Sequence, residues 1–407
     1  MKLKNFKISK KVLWIILGIT IVLATIFLIR FIRIKTAKIE VDLVSDLTAQ
    51  FTSDVKVSDY ILSINGKLVE DNKIDTTKLG VKKIKFYFVN EDDIKVSYEF
   101  EIEVVDETPP LVWLGNSYSV KVGTDVKLED KIMCADNYDD NPKCEIEGDY
   151  DLNTAGAYNL VFKALDKNGN ETKQNFVLNV YEPVVTTKSE AIGEKQEVKY
   201  TDFKEIKSLH KNEDTMVGID VSKWQGTIDF EKLKNAGVEF VMIRVGGTRG
   251  TNKEYFVDET FEYNIKQANK YNIKAGVYFY SYANSVEAAK KDARWVLKQI
   301  KDYDIDMPVA FDWEEWSNFN SYNLSLFGLT SLSEEFLNTI KKEGYKTLHY
   351  SSKSYLEDAW MNTSHDVWLA HYTKETNYQG DYKMWQLCDN GKVDGIDGLV
   401  DIDIYYK

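Results

Sequence analysis

Between Val217 and Ile404 eight short apolar runs recur, and this pattern constrains the fold more than any other feature. The first four are "VGIDV" (Val217–Val221), "FVMIRV" (Phe240–Val245), "AGVYFYS" (Ala275–Ser281) and "PVAFDWE" (Pro308–Glu314). The others are "TLHYS" (Thr347–Ser351), "VWLAHY" (Val367–Tyr372), "KMWQL" (Lys383–Leu387) and "LVDIDI" (Leu399–Ile404). Amphipathic stretches such as "EAAKKDARWVLKQI" and "LTSLSEEFLNTIKKEG" separate the earlier runs. Strand–helix alternation predicts a parallel sheet, and eight runs predict closure into a modified (β/α) TIM-like barrel. The segment is short, at roughly 190 residues against a usual ~250. The last runs also lie too close together for complete helices, so some helices are expected to be missing.

Each run ends on a distinctive side chain: Asp220, Arg244, Tyr280, Asp312 with Glu314, Tyr350, His371, Gln386 and Asp401. In a β/α barrel the C-terminal strand ends converge on the active site. Within "MPVAFDWEEW", residues two apart point the same way, so Asp312 and Glu314 face inward while Trp313 faces the helices. Two adjacent carboxylates cannot both ionise cheaply. A proton-holding acid beside an ionised carboxylate is what glycosidic bond cleavage requires. Asp220 and Asp401 add two further carboxylates, and tyrosines and tryptophans around the mouth offer flat faces to sugar rings. The alternatives are acids satisfied by interior hydrogen bonds and aromatics in ordinary packing.

The stretches "GIDVSKWQGTIDFEKLKNAGVEFVMIRVG", "KAGVYFYSYA", "PVAFDWEE", "VWLAHYT", "MWQL" and "GIDGLVDIDIY" together resemble the lysozymes of glycoside hydrolase family 25. The resemblance covers nearly all of 216–407 and implies cleavage of the β-1,4 bond between N-acetylmuramic acid and N-acetylglucosamine in peptidoglycan. It implies Glu314 as proton donor, Asp312 as partner carboxylate, and Asp220 and Asp401 as the other two acids. It also puts Tyr280, Trp385 and Gln386 in the substrate groove, where Arg244, Tyr350 and His371 are further candidates. Phe279 stands where the family often has histidine, which is expected to alter the groove. Asp403 stands where it often has asparagine, adding negative charge near the floor. A direct nucleophile needs carboxyls ~5–5.5 Å apart and inversion ~6.5–9.5 Å. A third route uses the substrate's 2-acetamido group with Asp312 orienting it, and the i, i+2 spacing favours this one.

Upstream, "DVKVSDYI" (Asp54–Ile61) recurs as "DVKLEDKI" (Asp125–Ile132). Gly80, Ile84, Phe86, Phe100, Ile102 and Val104 match Gly156, Leu160, Phe162, Phe176, Leu178 and Val180. Two copies with period-2 patterning predict two small all-β sandwiches, 38–106 and 107–182. The second, through "TAGAYNLVFKALDKNGNETKQNFVLNVY", resembles bacterial immunoglobulin-like domains, which implies spacer or adhesive units. Its inserted loop carries Cys134 and Cys144, which either close a disulfide or remain reduced thiols. Cys388 is expected to be a buried small hydrophobe. The polar stretch 183–215 reads as a linker.

Val12–Ile29 is uncharged and just long enough to span a bilayer core as a helix. Lysines flank it on both sides, giving a slight preference for a cytoplasmic 1–11 segment, a transmembrane helix over 12–32 and extracellular domains beyond. No small-x-small cleavage site follows the run, which argues against a cleaved signal peptide. The formal net charge of −13 argues against nucleic acid. The cysteines and histidines lack metal-ligand spacing, so neither metal nor cofactor is expected. The chitinase pattern D-x-x-D-x-D-x-E fails at Met307 and Ala310, and "VGGTRG" (Val245–Gly250) fits no nucleotide fingerprint and reads as a loop. The rival to a membrane-anchored muramidase is an inactive surface protein that uses the barrel to bind cell-wall glycan.

Overall fold

The computed structural model describes residues 9–183 and 199–407, which separate into two units, 1–107 and 108–407. Of the expected linker, residues 184–198 lie outside the described residues. In the first unit a helix spans Lys10–Lys35, capped where Ser9 Oγ accepts from Val12 N at 3.4 Å. By length and composition it is long and apolar enough to cross a membrane.

The first unit continues into a β module. Gly80–Asn90 and Lys95–Val105 form a long hairpin, flanked by Gly66–Leu68 on one side and Thr48–Gln50 on the other. Val41–Leu43 pairs with Ile61–Ile64 as a second small sheet. Alternate residues Phe86, Phe88, Phe100, Ile102 and Val104 are buried, as the period-2 pattern requires.

The same arrangement recurs at the start of the second unit. Gly156–Leu165 and Glu171–Tyr181 form the hairpin, Ser117–Lys121 lies parallel to the latter, and Leu111–Trp113 pairs with Met133–Ala135. Gly80 opposes Val104 in the first copy, and Gly156 opposes Val180 in the second. The sequence repeat is thus a repeat of strand register. Cys134 and Cys144 are joined, with Cα atoms 6.5 Å apart.

The remainder of the second unit is built on a closed sheet of eight principal strands. They are Thr215–Val221, Phe240–Thr248, Lys274–Tyr280, Val309–Asp312, Thr347–Ser352, Asp366–Ala370, Met384–Lys392 and Val400–Tyr406. Neighbours pair in sequence order, and the first seven run parallel. The eighth runs antiparallel to both the seventh and the first, which closes the ring. A fully parallel sheet was the expectation. Only a short turn separates Lys392 from Val400, and a parallel crossover needs a dozen residues or more.

Four helices cover the early strands: Phe230–Ala236, Phe261–Lys270, Val286–Ile300 and Leu326–Lys342. After the fifth strand only Lys353–Asp358 is helical, so the expected shortage of helices falls in the last third. Two further boundaries differ from expectation. Thr201–Asp202 pairs with the seventh strand, and the helix Phe203–His210 buries Phe203 and Ile206 in the barrel's outer core. These residues belong to the barrel because two apolar side chains one turn apart give the helix a face to bury. "VGGTRG" is not wholly a loop either, since Gly246–Thr248 forms a ladder with Tyr255–Val257. A Cβ on Gly246 would lie 2.0 Å from Phe256 O, so only glycine allows that approach.

Strand parity sorts the core into two layers. Val217, Ile219, Val241, Ile243, Val277 and Phe311 point outward to the helices. Met216, Phe240, Met242, Ala310, Leu348, Trp368 and Met384 fill the interior. Continuing the inward set toward the C-terminal strand ends leads to the polar residues of the mouth.

Candidate active site

A cavity of about 320 Å³ opens at that mouth. Asp220, Arg244, Tyr280, Asp312, Glu314, Tyr350, Gln386 and Asp401, all singled out from sequence, line it. Larger cavities of about 680 and 550 Å³ lie elsewhere on the surface, and neither contains any of the four acids. Among the described residues the mouth lining has no histidine or cysteine, the donors a transition metal favours.

Asp312 ends the fourth strand and is 5% exposed. Its Oδ1 is buried without a hydrogen-bond partner. Burial holds its pKa well above the usual carboxylate range, the charges of Glu314 and Asp220 add to this, and Arg244 opposes them. Glu314 lies at the rim, where its side chain meets solvent. Its pKa is also raised, first by surrounding protein and then by the charge of Glu315. Both members of the pair are thus biased toward holding a proton, and the deeper one is Asp312.

The floor carries three acids. Asp220 faces Asp401 directly across the antiparallel pairing, and Asp403 lies two residues further along the same strand. Burial pushes Asp401 up to about 9, reinforced by the charge of Asp220. Asp220 is raised by burial and then by Asp403, which makes the extra aspartate a neighbour that lifts a floor acid. Trp368 Nε1 donates to Asp403 Oδ1 at 2.9 Å.

Polar partners fix the walls. Gln386 Nε2 donates to Asp220 Oδ2 at 2.7 Å, and its Oε1 accepts from Tyr350 at 2.9 Å and Tyr372 at 3.1 Å. Arg244 is clamped by Asp258, with Nε at 2.7 Å and an Nη2 contact of 2.6 Å to Oδ2. Burial would raise Asp258, but bonds from Thr260 and Arg244 hold it below the usual range. Behind the acid pair Trp313 is fully buried, packed edge-on against Trp316, Phe319, Tyr322 and Trp360.

Two candidate residues do not reach the cavity. Trp385 is buried in the outer layer, its Nε1 donating to His371 O at 2.9 Å. His371 turns its ring Nδ1 to Thr376 Oγ1, 2.8 Å away. Parity is the reason: Gln386 points inward, so its neighbour Trp385 points outward, and Trp368, Ala370 and Tyr372 take the inward series past His371. Phe279 likewise faces Trp295 and Phe336 in the outer layer rather than the groove, and so leaves the lining unaltered. The residues missed are Ser222, Trp224, Gln225, Tyr278, Trp368 and Tyr372. Parity was the available signal for Tyr278, Trp368 and Tyr372. Trp224, 77% exposed, follows the first strand in a short helical turn that parity does not describe.

Residues 219–396 match the family described as Glycosyl hydrolases family 25, and this segment is a domain of that family. The enzyme class is therefore glycoside hydrolase. The uncharacterized protein YegX of Escherichia coli O6:H1 is 28% identical over 195 residues, 47% of this chain and 70% of that protein. An autolytic lysozyme of Clostridium acetobutylicum is 28% identical over 191 residues, 46% of this chain but only 55% of that protein. The solved structure of a family 25 glycosyl hydrolase from Bacillus anthracis has 22% identity and a TM-score of 0.41, covering 49% of this chain and 92% of that one.

Proposed function

We propose that the chain is a membrane-anchored peptidoglycan hydrolase that cleaves the β-1,4 bond between N-acetylmuramic acid and N-acetylglucosamine. The observation that carries this reading is the pairing of Asp312 and Glu314 at one mouth, over a floor of Asp220 and Asp401. Glu314, at the rim and biased toward protonation, donates a proton to the departing glycosidic oxygen. Asp312 orients the substrate's 2-acetamido group so that its carbonyl oxygen attacks the anomeric carbon. Water then opens the cyclic intermediate, with Glu314 as base. Tyr280, Tyr350, Tyr372 and Trp224 flank the glycan, while Arg244 and Gln386 hold the walls in register.

The Lys10–Lys35 helix is the anchor in this reading, with the following domains outside a bacterial cell membrane. The two β modules are immunoglobulin-like, and the eight-stranded sheet is a TIM-type barrel with its last strand reversed. The likeness to an autolytic lysozyme supports a cell-wall substrate. The test is incubation of the full chain with purified peptidoglycan, followed by identification of the new reducing ends. Ends at N-acetylmuramic acid are expected, and Glu314→Gln is expected to lower turnover about 10²–10⁴-fold while glycan binding persists. Glycan binding without cleavage by the wild type would make the barrel a binding module instead.

A further inference from the structure

The resemblance to immunoglobulin-like domains implies that the second β module is a spacer or adhesive unit, yet it shares a core with the barrel. Met133 and Ala135 of the module are buried in the same apolar cluster as the barrel's outer layer. The contact centres on the helical turn Glu315–Tyr322, which begins one residue after Glu314. Asn320 in that turn is held by three bonds to the module's backbone. Its Nδ2 donates to Glu129 O at 3.0 Å and Ile132 O at 2.8 Å, and its Oδ1 accepts from Cys134 N at 3.0 Å.

Two further links bracket that turn. Leu326 N and Phe327 N, in the first turn of the helix Leu326–Lys342, donate to Asp136 O at 2.8 Å and Asn137 O at 3.2 Å in the module. On the other side Trp316 stacks on Tyr355 with centroids 3.9 Å apart, and Tyr355 stacks on the module's Trp113 at 4.6 Å. A continuous stack of rings thus joins the turn beside the acid to the module. The disulfide ties down Cys134, the residue that donates to Asn320.

From these contacts we infer that the second β module is a positioning element for the general acid, acting through Asn320 and Trp113 on the turn that follows Glu314. This rests on the hydrolase reading of the site. Glu315, in the same turn, accepts from Tyr280 at 3.2 Å, and its charge favours the protonated form of Glu314. The charge of Glu314 also acts on Asp312, Asp401 and the hydroxyls of Tyr280, Tyr350, Tyr355 and Tyr372. Loosening the turn withdraws Glu315 and lets the acid wander from the scissile oxygen, where an ångström of misplacement costs up to ~10²-fold.

The test compares Asn320→Ala, Trp113→Ala and Trp113→Phe in the full chain. Both alanine variants are expected to lose about 10–100-fold in kcat with little change in KM. The basic limb of the rate profile is expected to move to lower pH, and Trp113→Phe to recover most of the loss. Trp113 lies outside the barrel, so its variants decide the matter even where Asn320→Ala misfolds. Amide exchange over residues 315–327 reads the coupling without turnover, and faster exchange in both alanine variants is expected. Unchanged exchange would overturn the inference, as would folded variants that keep wild-type kcat and pH profile. Lack of turnover in the wild type would instead refute the hydrolase reading and leave the exchange measurement to decide the coupling.

Discussion

Gln386 donates to Asp220 at 2.7 Å with one end of its amide and accepts from Tyr350 at 2.9 Å with the other. One side chain thereby joins a floor acid to the wall above it. Gln386→Met, similar in size and apolar, strips Asp220 of a bond that favours its charged form. It also leaves the buried Tyr350 hydroxyl unpaired. An unsatisfied buried group costs about 1–3 kcal/mol, so denaturant unfolding should show a loss of that size. Unaltered stability would mean that water replaces the amide.

Stability should fall with rising pH over an unusually wide range. Asp401 is held at about 9 and Asp292 at about 6, in each case chiefly by burial, against an ordinary 3.8. A carboxyl with a raised folded pKa keeps its proton where the unfolded chain has lost it. Its stabilising contribution is complete below about 4 and is lost as pH climbs through the folded value. Calorimetry from pH 4 to 9 should show a declining melting temperature, with Asp401→Asn flattening the upper part of the slope. A rise across this window would contradict the assignment.

Trp224 and Trp385 should behave oppositely. Trp224 is 77% exposed beside the cavity, whereas Trp385 is 3% exposed in the outer core. Trp224→Ala is expected to raise KM for glycan about 2–10-fold, as the loss of ~0.5–1.5 kcal/mol of ring stacking implies, with an unchanged melting temperature. Trp385→Ala should cost about 3–5 kcal/mol in stability. Parallel kinetics and thermal melts on the two variants distinguish these outcomes.

Replacing both Cys134 and Cys144 with serine opens a loop of sequence separation 10. Chain-entropy reasoning gives a loss of about 2–3 kcal/mol. The loss should appear in the unfolding of the second unit, while Cys388, buried and with its thiol pushed up to about 11, stays unreactive toward alkylating reagents.

The strand ends were legible because apolar runs that finish on Asp220, Asp312, Tyr350 and Gln386 leave few other arrangements for a barrel. The register repeat of the two β modules was legible from six matched positions. Trp385, put in the groove by the resemblance, and His371, read as a strand end, lie outside the cavity lining because strand parity puts each on the face opposite its inward neighbour. Trp224 was missed because it sits in a turn, where no periodicity assigns a direction. The reversal of the last strand depends on a short connection. The docking of Asn320 depends on backbone carbonyls nearly two hundred positions away, and no local pattern encodes such a contact.

The pairing of Thr215 with Tyr406 has a consequence for the order of assembly. The first strand of the ring waits for the last, so its edge stays unsatisfied while the intervening chain is synthesised. Contacts so distant in sequence are slow to form. Asp401, which completes the floor opposite Asp220, arrives on that final strand. A growing chain therefore carries Asp312 and Glu314 well before it has a finished site, which waits for the strand Val400–Tyr406 to dock against Thr215–Val221.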